Sequence, residues 1–404
     1  MNLNERIIAA GVKHSTEKNK TWINNNVLVV GSSGAGKTTG FVCPNLNNPS
    51  GSFVVSDTKG QLYKMFASKL RKKGYLVHLI NLVNPEHSFG YNPLDYIRRR
   101  KDGSVYEPDI KKLAKLIVPA LDRAEPYWEN SAARYISMLI GYVVEALPRE
   151  EQNMESILEL HRSYYEGPSK VLLSQLKDSK PDSYAGRRFA AFQSIENSEK
   201  TWSCIYDFAS EALDAFDCEE YKKLFTSEKK INLHDLGKRK TAVFINSSDH
   251  DRSYHILCSI INAQLLQTLI DDADNSSEGS LDIPVSLFLD DFAAAAAIPD
   301  FEMAISVIRS RNISVNILLQ SISQLTNRYG EQNATTIINN CDTILYLGGG
   351  HDIETARFIA EHINMTPSSV LSLPSGKAIL VVSGQKPAIV DKIKPTDEIT
   401  GLVS

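Results

Sequence analysis

The sequence predicts an α/β protein with a doubly wound, mostly parallel sheet, interrupted by an inserted all-α segment. Three observations predict it. Short, continuous apolar runs alternate with helical segments toward both ends of the chain, as parallel strands buried on both faces do. The first of these runs ends in a glycine-rich loop. From about Arg98 to about Asp235 no strand-like run occurs, and apolar residues recur at helical spacing.

Val27-Leu28-Val29-Val30, Ser52-Phe53-Val54-Val55 and Leu76-Val77-His78-Leu79-Ile80 read as the first three strands. In the helical stretch Ala132, Ile136, Leu139, Ile140 and Val143 share one face, followed by Met154, Ile157, Leu158 and Leu160. Strands return at Ala242-Val243-Phe244-Ile245, and a long helix is expected over 253–270, then an acidic loop over 271–282. Further strands are expected at 285–289, 315–319, 343–347 and 378–382. The implied organisation is one α/β domain in two pieces, 1–97 and 236–404, around an all-α domain at 98–235.

Composition bounds the function. The 404 residues carry 44 Lys+Arg against 48 Asp+Glu, a net charge of −4, and 42% are hydrophobic. That apolar content excludes disorder as the main state. The charge balance argues against coating nucleic acid by bulk charge, while leaving room for a local basic groove. No run approaches the ~20 apolar residues of a membrane helix, and the N-terminus lacks the pattern of a signal peptide. Cys43, Cys204, Cys218, Cys258 and Cys341 form no C-x-x-C pair and are expected to be buried, reduced thiols. His250, His255 and His351 lack metal-ligand spacing.

Gly31-Ser32-Ser33-Gly34-Ala35-Gly36-Lys37-Thr38 matches G-x-x-x-x-G-K-[ST], with a strand before it and a helix after. The glycines let backbone N–H groups wrap a phosphate, and the helix N-terminus favours an anion. Lys37 is expected to reach the β- and γ-phosphates of ATP, Thr38 to hold Mg²⁺, and Thr39 to complete the binding loop. Val285-Ser286-Leu287-Phe288-Leu289-Asp290-Asp291 supplies the second requirement, a carboxylate at the end of a buried strand. Asp290 is the expected metal-side carboxylate. Asp291 stands where a water-polarising base is expected, one methylene shorter than the usual Glu. Both also read as helix-capping acids.

Gln320 ends a buried strand, where an amide contacts the γ-phosphate or its attacking water, or else caps the next helix. Arg309, and less directly Arg311, stand where an arginine reaches the γ-phosphate bound by a neighbouring subunit; a solvated or salt-bridged arginine is the alternative. Asp57 and Lys59 end the second strand, suited to nucleotide or subunit contact or to simple turn chemistry. Basic clusters lie at 71–73, 98–101, 187–188 and 238–240. Singly they read as solvated faces; together, around a ring's channel, they would track phosphates. The five alanines of 293–297 carry no chemistry and read as a helix start or as engineered replacements.

Together these motifs resemble the type IV secretion coupling proteins, the TraG/TraD-type conjugation ATPases of the FtsK/HerA-like group. Further markers are Pro44-Asn45-Leu46, Val55 to Gly60, Tyr91-Asn92-Pro93-Leu94, Tyr127 to Ala132, Ile298 to Phe301, Leu319 to Leu325, Leu347-Gly348-Gly349 and Glu354-Thr355-Ala356. The resemblance runs from about Asn26 to about Pro387. It implies a RecA-like P-loop NTPase domain with an all-α insertion, working as a homo-hexamer when assembled at the cytoplasmic face of the inner membrane; for the chain in isolation, ring and monomer both stay open. It implies ATP and Mg²⁺ as cofactors, with Lys37, Thr38, Asp290, Asp291, Gln320 and the trans-acting Arg309 as site residues. Implied partners are single-stranded DNA, relaxase and relaxosome proteins, and secretion-channel components. The chain departs from the family at Asp291 and Gln61, where Glu is usual, in the alanine run, and in lacking membrane helices, which reads either as a cytosolic portion or as a natural soluble member anchored by a partner. Two alternatives stand beside this reading: a double-stranded DNA translocase, and a nucleotide-switched, substrate-recruiting adaptor with little hydrolysis.

Overall fold

The computed structural model of the chain describes residues 5–17, 23–118, 126–248, 254–293 and 297–394. Eleven strands occur among them: β1 (Glu5–Ala9), β2 (Val12–Ser15), β3 (Val27–Val30), β4 (Ser52–Ser56), β5 (Leu76–Asn81), β6 (Thr241–Asn246), β7 (Val285–Leu289), β8 (Ile313–Leu319), β9 (Thr343–Tyr346), β10 (Lys377–Val382) and β11 (Ala388–Asp391). Nine of them form one sheet in the order β11-β10-β9-β3-β8-β7-β4-β6-β5. From β9 to β5 every pairing is parallel, and β10 and β11 add an antiparallel edge. β3, β7, β8 and β9 are buried along their whole length, as their unbroken apolar runs require.

The helices follow in chain order: α1 (Cys43–Asn47), α2 (Gln61–Lys72), α3 (Glu107–Ile117), α4 (Tyr127–Ala146), α5 (Met154–Tyr164), α6 (Pro168–Ser179), α7 (Tyr184–Glu196), α8 (Glu199–Asp214), α9 (Glu219–Thr226), α10 (His255–Asp274), α11 (Phe301–Val307), α12 (Ile322–Tyr329), α13 (Glu331–Asn339), α14 (Ile353–Ile363) and α15 (Pro367–Leu371). Ahead of α1, Thr38–Val42 forms a π-turn in which the Cys43 N–H bonds to the Thr38 carbonyl. The proline ring at 44 would crowd the Gly40 carbonyl in an α-helical turn, and the wider turn just before it relieves that crowding.

The chain divides into two compact units, Met1–Val83 with Asn232–Arg252 and Leu265–Ser404, and Asn84–Ile231 with Ser253–Gln264. The first holds the sheets and the second is helical. The helical unit starts earlier in the sequence than 98, because 84–97 bonds within it. Asn92 Nδ2 donates to the Gln152 carbonyl (2.7 Å), the Tyr91 N–H to the Leu224 carbonyl (3.0 Å), and the Tyr91 hydroxyl to Gln264 Oε1. Other differences are local. The acidic loop expected from Asp271 starts later, since α10 runs on to Asp274. The hairpin β1–β2 and the edge strand β11 were not foreseen. Among the described residues no helix is long and apolar enough to cross a membrane. The five cysteines are free, but only Cys43 and Cys341 are buried; Cys204 and Cys258 are half-buried and Cys218 is exposed.

In the helical unit the core gathers on Tyr135 of α4. Its ring lies 5.2 Å from Tyr164, 5.3 Å from Trp202 and 6.1 Å from Phe192. Its hydroxyl meets His161 Nδ1 at 3.1 Å, and Nε2 of that ring meets the Ser210 hydroxyl at 2.9 Å. Burial pushes the His161 pKa down to about 4, keeping the imidazole neutral. Glu145, which breaks the apolar run of α4, accepts from the Tyr184 and Ala185 N–H groups and so caps α7. We predict that Tyr135→Ala lowers unfolding free energy by ~3–5 kcal/mol. Tyr135→Phe, which loses only the histidine bond, costs about 1 kcal/mol. Denaturant titration followed by aromatic circular dichroism separates the two.

Candidate active site

Parallel pairing sets the strand ends that build the site. Val30 lies opposite Leu319 of β8 and Tyr346 of β9, so the loops leaving β3, β8 and β9 emerge together. The loop 31–38 is fixed from both sides. The Gly31 N–H bonds to the Leu319 carbonyl (3.1 Å), the Ser32 N–H to the Gly348 carbonyl (3.3 Å), and the Ala35 N–H to the Ser32 carbonyl (3.1 Å). Gly34 and Gly36 adopt φ of +76° and +95°, where a side chain is strained. Gly31 is needed for space: a Cβ there would lie 2.9 Å from Leu347 Cβ.

Lys37 is only 8% exposed, and its Nζ donates to the Gly31 (2.8 Å) and Ser32 (3.2 Å) carbonyls. The ammonium is thereby stored inside the loop's own arc, while Ser33 and Gly34 face solvent. Thr39 sits half-buried in the π-turn behind the loop. The Thr38 hydroxyl donates to Asp290 Oδ2 at 2.7 Å, tying the loop after β3 to the end of β7 across β8.

Burial raises the Asp290 pKa above the ordinary carboxylate value, and the charge of Asp291 adds to it, while the Thr38 bond opposes it. Asp291 has φ of +48°, and its N–H donates to Asp290 Oδ1 (3.0 Å). Short polar Asp tolerates this left-handed region better than most residues. Gln320 Nε2 donates to Asp291 Oδ1 at 3.4 Å. The structure thus brings Lys37, Thr38, Asp290, Asp291 and Gln320 together at one sheet edge.

Other expected residues fall elsewhere. Arg309 is exposed in the 3₁₀ turn Ile308–Arg311, ahead of β8 and so at the opposite edge of the sheet from the loop of its own chain. Arg311 is committed to Asp274 through two bonds of 2.7 and 3.0 Å. Asp57 accepts from the Gln61 (3.0 Å) and Tyr63 (2.9 Å) N–H groups, which is turn and cap chemistry, and Lys59 is exposed. Of the alanine run, 294–296 lies outside the described residues, as does His250. The described ends of that run are held: the Ala293 carbonyl accepts from Arg328 Nε (3.1 Å), and the Ile298 N–H donates to the Tyr329 hydroxyl (2.9 Å).

Two residues that touch the loop had no site role in the sequence reading, although Gly349 stood among the family markers. Gly349, at φ +84°, lies so close that an added Cβ would meet Ser32 Oγ at 2.6 Å. The run Gly348-Gly349-Gly350 directly after a strand was the available signal. Lys392 donates to the Ala35 carbonyl at 3.3 Å, and nothing local in the sequence announces it.

The family described as "Type IV secretory system Conjugative DNA transfer" matches residues 3–364. The chain belongs to this family. Among curated relatives, the type IV secretion system-coupling protein VirD4 of Bartonella quintana (strain Toulouse) is 23% identical over 387 residues, 91% of this chain and 58% of that protein. Protein VirD4 of Rhizobium radiobacter is 22% identical over 338 residues, 83% of this chain and 47% of that protein. The chain therefore spans about half the length of the curated relatives it matches. Among solved structures, the plasmid coupling protein TrwB in complex with ADP and Mg2+ superposes with a TM-score of 0.73 at 16% identity, covering 97% of this chain and 89% of that one. That likeness carries the fold expected from the sequence, a RecA-like P-loop NTPase domain with an all-α insertion.

Asp290 yields a stability prediction for the nucleotide- and metal-free protein. Its ionised form is the costly one in the folded chain. Its contribution is therefore lost as pH rises from the unfolded carboxylate value near ~3.9 through the raised folded value. Asp290→Asn keeps an acceptor for Thr38 and removes the charge. It is expected to raise the melting temperature at pH 7, by ~2–4 °C for each kcal/mol relieved. The gain should vanish near pH 4, which melting curves across pH check directly.

Proposed function

We propose that this chain is an ATP-hydrolysing motor that moves single-stranded DNA, with attached relaxase or effector protein, into a type IV secretion channel at the cytoplasmic face of the inner membrane. The observation that carries it is the Thr38–Asp290 bond. It sets a P-loop hydroxyl and a strand-end carboxylate as a pair of hard oxygen donors beside Lys37. The residues present suit ATP with Mg²⁺. The N–H-lined loop from Gly31 to Thr39 would hold the phosphates, and Thr38 with Asp290 would hold the cation. Bound Mg²⁺ supplies neutralisation of charge developing on the phosphate oxygens.

The chain's own groups do the rest. Lys37 leaves its two carbonyl partners for the β- and γ-phosphates, and the carbonyls are the resting acceptors that keep it aimed. Gln320 and Asp291, already bonded to each other, orient the attacking water, with Asp291 accepting its proton. Arg309, remote from its own loop, acts on the nucleotide of a neighbouring copy, which requires a ring such as a hexamer. Kinship with coupling proteins supports the cargo assignment.

The adaptor reading draws on the short side chain of Asp291 and its bond to Gln320, which leave less reach toward water. ATPase assays with and without DNA decide between the readings. We expect turnover stimulated by single-stranded DNA and reduced by at least ~10²-fold in Lys37→Ala, the scale of losing one principal transition-state donor. Nucleotide binding with no turnover under any DNA condition supports the adaptor, and stimulation by duplex alone supports the duplex translocase.

A further inference from the structure

Arg6 of β1 is 4% exposed, and all its hydrogen-bond partners among the described residues are neutral. Its guanidinium donates to the Ser286 (2.8 Å) and Ser314 (3.0 Å) hydroxyls and to the Asn25 carbonyl. Burial lowers its pKa to about 10 with no acid to oppose the shift, and Arg6 in turn adds to the lowering at His14, its cross-strand neighbour. A buried cation held only by neutral groups is costly, and an anion reaching it would recover much of that cost.

The site is open to one. Arg6, Ser286, Asn312 and Ser314 line a cavity at the start of β7 and β8, and Arg309 lines it too. That edge of the sheet is the one opposite the loop 31–38. Two guanidinium groups lie among four hydroxyls and three side-chain amides, with no carboxylate in the lining. Ser286 and Ser314 also bond each other (3.0 Å) and Asn312 Nδ2 donates to the Leu281 carbonyl (3.1 Å), so the two guanidinium groups are the principal donors. Such a set suits a tetrahedral oxyanion, which accepts several charge-assisted hydrogen bonds at once.

We propose that this cavity is a second oxyanion site, specific for a phosphate group and distinct from the phosphate loop of the same chain. Arg6 is the fixed, buried cation, and the exposed Arg309 closes over the bound group from solvent. The proposal deepens the reading of Arg309 as a cation acting outside its own nucleotide site. It stands or falls separately, because its test needs no turnover.

Inorganic phosphate is titrated calorimetrically into the Lys37→Ala chain, in which the loop site is disabled. We expect saturable binding, weakened at least tenfold by Arg309→Ala and more by Arg6→Gln. Arg309 is exposed, so its variant tests the site even if Arg6→Gln fails to fold. Parallel titrations distinguish sources of the phosphate: tighter binding of ADP than of inorganic phosphate points to a nucleotide, tighter binding of a deoxythymidine oligonucleotide to a nucleic-acid backbone. In either case affinity must fall with Arg309→Ala. No phosphate binding by Lys37→Ala, or binding unchanged by Arg309→Ala, overturns the proposal.

Discussion

The parallel register of β3 against β8 and β9 is the constraint on which the rest depends. It places Val30, Leu319 and Tyr346 level. The backbone leaving each strand is then within hydrogen-bond reach of the others, which is why the glycine loop is held by Leu319 on one side and Gly348 on the other. A one-residue slip would turn every side chain of β3 to the opposite face and misplace the loop with it. With the register fixed, the only remaining gap is the width of β8, and the Thr38 hydroxyl closes it to Asp290.

Electrostatics then acts on a prepared frame. Lys37 rests on carbonyl oxygens and Asp290 on a hydroxyl and an N–H, so cation and carboxylate are each solvated by the protein. The near-neutral total charge says little about such a site. Several basic clusters that suggested a phosphate-tracking surface are engaged locally: Arg98 with Asp109, Arg187 with Glu107 and Arg239 with Asp235. The Arg187–Glu107 pair is solvent-accessible on both sides and contributes little to stability, whereas Asp109 is buried and takes two bonds from Arg98.

What was legible in the sequence was what is contiguous in it. Fully buried parallel strands are unbroken apolar runs, and the phosphate loop is eight successive residues, so both could be read directly. β1 was missed because Glu5 and Arg6 interrupt its apolar pattern; the charge of Arg6 is met by serines from β7 and β8 and by the Asn25 carbonyl. β11 was missed because its apolar run, Ala388-Ile389-Val390, is only three residues long and lies on an exposed edge. The boundary of the helical unit was misplaced because the polar stretch 84–97 reads as loop until its bonds to Gln152 and Leu224 are seen. Within the site, the pairing of Gln320 with Asp291 and the approach of Gly349 and Lys392 to the loop join residues far apart in sequence, and only the fold brings them together.

The central claim is that the Thr38–Asp290 pair makes nucleotide binding dependent on a divalent cation. Calorimetric titration of a non-hydrolysable ATP analogue, with and without Mg²⁺, tests it most directly. The account predicts that Mg²⁺ tightens binding at least tenfold in the unaltered protein, and that this gain disappears in both Thr38→Val and Asp290→Asn while Mg²⁺-free binding persists. An undiminished Mg²⁺ effect in either variant would contradict it.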